Sequence, residues 1–153
     1  FIIWAKNTFT LGRADYQRQY EPILYGWRDG AQRHWCGDRN QGDVWPINKP
    51  HRNDLHPTMK PVELVERAIR NSSRPGDTVL DCFGGSGSTL IAAERSSRQA
   101  RLMELDPKYV DTIVRRWQDY SGGEAVLQGD GRSFANISSE RTSDGITTTD
   151  VAA

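Results

Sequence analysis

The chain has 153 residues, enough for one domain with a real core. Its 20 Lys/Arg and 20 Asp/Glu cancel, so net charge gives no argument for a polyanionic partner, and no apolar run reaches membrane length. Two cysteines without a CxxC or HxxxH companion exclude a disulfide scaffold and leave no metal site to expect; with no signal peptide, they read as reduced thiols of a cytoplasmic protein.

The charge is unevenly spread. Residues 1–80 hold 12 Lys/Arg against 9 Asp/Glu, residues 81–153 hold 8 against 11, and all three histidines lie in the first half. A polyanion, if one binds, is expected there. The chain opens "FIIWAKN", an apolar strand with no Met and no leading polar turn. This suggests a start within a fold, with residues missing upstream.

In chain order, "FIIWAKNTF" and "EPILYGWR" (21–28) are predicted strands, rich in aromatic and β-branched residues. The polar, basic "TLGRADYQRQY" between them predicts a hairpin with a long charged tip. Residues 29–58 form a long Gly/Asp/Asn/Arg/Pro-rich connection with only "DVWPI" strand-like, and such connections are functional or disordered. Val62, Leu64, Val65, Ala68 and Ile69 give a helical stripe, with Pro61 in its first turn. "TVLDCF" (78–83) is a strand, and a helix is predicted from about Ser86 to Ser96. "QARLMELD" is the next strand, "PKYVDTIVRRWQDYSG" a helix, and "AVLQGD" a third strand. The order βαβαβ predicts an α/β fold with a parallel sheet. From about residue 134 the Ser/Thr-rich sequence predicts a disordered tail.

The informative stretch is "LDCFGGSGSTLIAAE" (80–94), a strand, a glycine turn and a helix. Such a turn brings backbone N–H groups and a helix N-terminus to a ligand, although a tight turn without a ligand is the plain alternative. Two carboxylates favour a ligand. Asp81, on the strand end beside the glycines, repels a phosphate and suits a cation. Glu104, 23 residues on at the tip of the next strand, is placed to accept from ribose hydroxyls. Gly85 and Gly87 are followed by Leu90 where a dinucleotide fingerprint needs a third glycine, which argues against a nicotinamide-dependent dehydrogenase. A nucleoside with a cationic, phosphate-free arm fits better, and S-adenosylmethionine is that molecule.

The letters themselves resemble the DNA amino-methyltransferases, which methylate adenine N6 or cytosine N4. Asp81, Phe83, Gly85, Ser86, Gly87 and Thr89 match the family's D-x-F-x-G-S-G-T-like turn, with Thr89 one residue later than in the shortest version. "HPTMKPVELVERAI", from His56, resembles the helix-leading motif at the cofactor's methionine end, and "RLMELDPKYVD" the following strand, with Asp106 beside Glu104. "IIWAKNTFTLGRADYQRQYEPILYGWR" is similar to the hairpin near the target base. The motif order is that of the β-class, and the resemblance covers about residues 1–133.

The resemblance implies an incomplete Rossmann-like methyltransferase fold. Its parts are a hairpin and target-recognition region over 1–58, a cofactor-binding βαβαβ region over 59–133 and the tail over 134–153. It implies S-adenosyl-L-methionine as cofactor, held by His56, Thr58, Lys60, Asp81, Phe83, Gly85, Ser86, Gly87, Thr89, Glu104 and Asp106. For Lys60 a solvated surface charge, and for Phe83 a core position, are the competing readings. Double-stranded DNA is the implied partner, contacted by Trp4, Lys6, Asn7, Arg13, Arg18, Arg33, Arg39 and Arg52. Core packing is the alternative for Trp4, and solvated charge for each arginine. Either a second copy of the chain or the upstream half of the same enzyme is a further expected partner. The reaction implied is methyl transfer to the exocyclic amine of a flipped base, adenine N6 ahead of cytosine N4. The family's D-P-P-Y or N-P-P-Y is absent from these residues. The alternative is a non-catalytic fragment that binds S-adenosylmethionine or DNA.

Overall fold

The structure, a computed structural model, describes residues 1–49 and 59–143. Strands β1 (Ile2–Thr10) and β2 (Arg18–Ile23) form the hairpin, antiparallel with Trp4 opposite Glu21 and a register shift between Ala5 and Thr10. Its tip is closed by Gln17, which accepts from the Gly12 N–H and donates to the Ala14 carbonyl, each at 2.6 Å. The second strand therefore lies earlier than the sequence predicts. Tyr25 and Trp27 leave the sheet because they pack with Trp35 instead. Strand β3 (Val44–Pro46) joins β1 in parallel and gives the order β2-β1-β3.

Helix α1 (Val62–Ser72) follows, then β4 (Thr78–Asp81), α2 (Ser88–Arg95), β5 (Gln99–Leu102) and α3 (Pro107–Ser121). Strands β4 and β5 pair in parallel, with Asp81 opposite Leu102. Two cores sit on opposite sides of α1. Leu64, with Ala68, packs on Trp4, Trp45 and Ile47 of the hairpin sheet. Ile69, with Val62 and Val65, packs on Ala92 and Ala93 of α2 and on Val79 and Ala100 beneath. The helical stripe read from the sequence is thus two stripes, one for each sheet.

The long connection is ordered over 29–49 by its ties to α1. The Cys36 N–H donates to the Asn71 carbonyl at 2.8 Å, and the side-chain amides of Gln41 and Asn71 bond reciprocally at 2.9 and 2.8 Å. Gly37 passes so close that a Cβ there would lie 2.5 Å from Asn71 Oδ1.

The C-terminal expectations need correction. No third parallel strand forms at "AVLQGD". The chain turns back, with an isolated antiparallel bridge between Val126 and Ser133 and positive φ at Gly129 and Gly131. Residues 134–143 are helix α4 (Phe134–Ser143), not tail. The Ser133 hydroxyl accepts from the Asn136 N–H, Glu140 pairs with Arg132, and Phe134 lies under the Arg115 guanidinium. These contacts give a polar sequence enough local support to be helical. The rest of the expected tail, residues 144–153, lies outside the described residues. Among the described residues no helix is long and apolar enough to cross a membrane.

Trp4 is 2 % exposed, and its indole donates to the Ile47 carbonyl at 2.7 Å. Trp4→Phe removes that bond, strands a buried carbonyl and leaves a small cavity. The expected loss is about 2 kcal/mol. Trp27→Phe, at an exposed ring, should stay within about 0.5 kcal/mol. Urea unfolding of the two variants measures the difference.

Glu21 ties the hairpin to the segment before α1, bonding Lys6 at 2.7 Å and Lys60 at 2.9 Å. Burial pushes its pKa up, but the hydrogen bonds and charges of Lys6 and Lys60 outweigh this and hold it below the ordinary 4.5. A depressed folded value means that the bridge stabilises fully above the unfolded value and is lost as pH falls through the folded one. The Tm advantage of wild type over Glu21→Gln should therefore be largest near neutral pH and shrink below 4.5. Thermal melts across that range check the sign.

Candidate functional site

The carboxyl ends of β4 and β5 open onto a cavity of about 280 Å³. Such crevices at parallel strand ends are where ligands bind in open α/β sheets. The glycine turn forms its floor. Gly85 (φ 54°) and Gly87 (φ 80°) are both left-handed, and the Gly87 N–H closes the turn on the Gly84 carbonyl at 2.8 Å. Their roles differ. Gly85 lines the cavity, whereas Gly87 is buried under α3, where a Cβ would sit 3.2 Å from Ile113 Cγ2. Gly84 faces the same side chain, its Cβ position 3.0 Å from Ile113 Cδ1. Of the two glycines expected at a ligand, Gly87 is bare for helix packing. It also sets the start of α2 at Ser88 rather than Ser86.

Both acidic residues singled out in the sequence lie on the rim. Glu104 reaches across to the turn and accepts the Gly85 N–H at 2.6 Å, while its other oxygen accepts the Leu105 and Asp106 N–H groups at 2.8 and 3.1 Å. Asp81 accepts the Phe83 N–H at 2.9 Å and the Thr89 hydroxyl at 2.5 Å, which ties the strand end to the first turn of α2. Phe83 is 88 % exposed and lines the cavity. Its core alternative is thereby removed, and its ring presents a free face beside the carboxylates.

Lys60 also lines the cavity, but its ammonium is held by Glu21 and lies 5.8 Å from the Trp4 ring centre. It is neither a free surface charge nor a free anion ligand. Its carbonyl accepts from the Ser88 hydroxyl at 2.7 Å, joining the start of α1 to the start of α2. Ser86 and Thr89 line the cavity as well. Asp106 does not; its carboxylate caps α3 by accepting the Lys108 N–H at 2.9 Å, with Pro107 in the first turn. His56, Thr58 and Arg52 lie outside the described residues.

Sequence reasoning missed Arg116. From α3 it donates to the Ser86 carbonyl at 2.9 Å and to the Ser86 and Ser88 hydroxyls at 3.3 and 3.2 Å. Burial lowers its pKa from the ordinary arginine value. It locks the turn from behind, and Met59 and Val65, also unforeseen, give the cavity its apolar wall.

The residues expected to face DNA divide. Trp4 is core, and Lys6, with 9 % of its side chain exposed, pairs with Glu21 and lies over the Trp4 ring. Both are structural, because the Trp4–Glu21 register puts them on the covered face of the hairpin. Asn7 accepts the Lys49 N–H at 2.9 Å. Arg13, Arg18, Arg33 and Arg39 are exposed, Arg18 over the Tyr20 ring. Cys36 and His34 make a lone 3.1 Å pair, and among the described residues no three His, Cys, Asp or Glu are grouped to hold a metal.

Comparison with known proteins fits this geometry. Residues 1–115 match the family N6_N4_Mtase, described as DNA methylase. The type II methyltransferase M.BglI of Bacillus subtilis is 34 % identical over 123 residues, which cover 71 % of this chain and 35 % of that protein. The DNA adenine methyltransferase YhdJ of Escherichia coli K12 is 38 % identical over 148 residues, 75 % of this chain and 50 % of that one. The chain therefore spans between a third and a half of the length of these relatives. Among solved structures, the complex of M1.HpyAVI with S-adenosylmethionine (SAM) superposes with a TM-score of 0.64 at 28 % identity, over 75 % of this chain and 59 % of that chain. The S-adenosyl-L-methionine complex of TTHA0409, a DNA modification methylase from Thermus thermophilus, gives 0.53 at 31 % identity, over 80 % and 53 %. These neighbours make the fold that of S-adenosylmethionine-dependent DNA methyltransferases, present here in part. With a parallel-strand cavity, a glycine turn and a family match over its first 115 residues, this chain belongs to the N6/N4 DNA methylases.

Proposed function

We propose that the chain carries the S-adenosyl-L-methionine site and part of the DNA-binding surface of a methyltransferase acting on the exocyclic amine of a flipped base. The observation that carries this is the cavity where Glu104, Asp81 and the exposed Phe83 ring converge on Gly85. The residues fit the cofactor. Phe83 offers an aromatic face to a purine. Each Glu104 oxygen has two lone pairs, so holding the turn does not preclude accepting from a ribose hydroxyl. Asp81 places negative charge where a cationic arm would lie, and no third glycine opens a pyrophosphate path. Bound there, the cofactor supplies an electrophilic methyl on sulfonium. The chain's own part is to orient it and exclude water.

Adenine N6 is the favoured target, supported by the 38 % identity to the E. coli adenine methyltransferase. The chain contains no D-P-P-Y or N-P-P-Y. We infer that the groups holding the target amine come from another segment, and that these 153 residues alone bind cofactor without transferring methyl. The same lack favours the second reading, a binding fragment that never catalyses. Methyl transfer restored by adding the upstream half would decide for the enzyme.

Calorimetric titration with S-adenosylmethionine tests the site. Wild type should saturate at one equivalent, with no heat from NAD. Phe83→Ala, at an exposed side chain whose loss spares the fold, should weaken binding about tenfold. Glu104→Gln should weaken it too and also lower Tm, because the turn loses its anchor. Undiminished affinity in Phe83→Ala would move the adenosine elsewhere.

The outward face of β4 and β5 carries Leu80, 65 % exposed, and beyond it Met103, 60 % exposed. In the whole enzyme we propose that the upstream half covers it. Alone, the chain should self-associate with rising concentration, and Leu80→Ser with Met103→Ser should reduce this. Sedimentation velocity distinguishes the two.

A further inference from the structure

Arg33 stands apart from the other arginines. Its guanidinium lies 5.7 Å from the ring centre of Tyr25, 5.5 Å from Trp27 and 5.4 Å from Trp35. The three rings also brace one another, Tyr25 to Trp27 at 5.9 Å and Tyr25 to Trp35 at 6.3 Å. The loop that carries Arg33 and Trp35 is anchored to α1 through Cys36, Gln41 and Asn71. Yet the residue is exposed, and among the described residues no hydrogen bond or ion pair engages its guanidinium. Arg67 shows the contrast. It too lies over a ring, Trp45 at 4.5 Å, but it spends a donor on Gln41.

A cation held over ring faces keeps its N–H edge available, because π contacts use the face of the guanidinium and not its rim. An ordinary exposed arginine must give up side-chain freedom to bind; this one is already confined. Arg39 borders the same hollow and adds positive charge, while Asp38, whose carboxylate accepts the Asn40 N–H, is the opposing charge there.

We propose that Arg33 is a preorganised fork for a paired acceptor edge on DNA, a guanine O6/N7 or a phosphate, and that Tyr25, Trp27 and Trp35 are its positioning residues. The inference rests on the DNA reading above and adds to it which arginine reads, and what holds it.

The test is equilibrium binding of the chain to a labelled duplex pool with a randomised centre, over a salt series, followed by sequencing of the bound fraction. Arg33→Lys keeps the charge and loses the fork. For a guanine edge it should bind about tenfold more weakly and lose guanine enrichment at one position. For a phosphate, Arg33→Ala should weaken binding to all sequences equally and reduce the salt slope by about one. Trp27→Ala removes no charge, so it should lower affinity with the salt slope unchanged, which a purely structural role would not produce. If folded Arg33→Lys and Arg33→Ala bind with wild-type affinity and preference, the inference is overturned. If folded wild type binds no duplex, the DNA reading itself fails and this inference falls with it.

Discussion

The candidate site depends on one carboxylate. Glu104 stands at the end of β5 and takes the Gly85 N–H across 19 residues of sequence, while also accepting the Leu105 and Asp106 N–H groups. A charged acceptor bonded to several backbone donors is among the stronger polar interactions in a protein. This one joins three things. It fixes the left-handed turn, it holds the ends of the two parallel strands together, and it sets the direction in which the chain enters α3. Arg116 then closes the turn from the other side through the Ser86 carbonyl. The cavity is the space left between a turn locked from front and back.

Helix α1 connects that cavity to the hairpin. Its two apolar faces bury against two different sheets, so neither sheet can shift without disturbing the other. The polar links run the same way. Lys60 gives its ammonium to Glu21 on the hairpin and its carbonyl to Ser88 at the start of α2, within the lining of the cavity. The C-terminal end of α1 holds the Arg33 loop through Asn71. A site for a small cofactor and a surface proposed for DNA are thus built on opposite ends of one helix.

What the sequence makes legible follows from how local each feature is. The strand, glycine turn and second strand lie within 27 residues and carry their meaning in adjacent letters, so Asp81, Gly85 and Glu104 could be placed together. The role of Gly87 could not, because it depends on Ile113, far along the chain in a helix whose docking angle no local pattern gives. Arg116 on an amphipathic helix reads as a solvated charge until its buried partners are known. Lys6 and Trp4 read as basic and aromatic groups suited to DNA; the cross-strand register to Glu21 and the bond to Ile47 turn them inward. Helix α4 was hidden by composition, since a Ser/Thr-rich stretch masks the Ser133 cap and the Phe134/Ile137 spacing. The aromatic run at 25–27 suggested a strand because the Arg33 and Trp35 that claim it come later.

The most direct test is to follow the backbone amide NMR signals of the chain as S-adenosylmethionine is added. The account predicts the largest shifts at Phe83, Gly84, Gly85 and Ser86 and at Leu105, whose N–H bonds Glu104, with little change at Tyr25 to Trp35. Shifts centred on the aromatic loop, or saturable binding that leaves Gly85 and Leu105 unmoved, would contradict it.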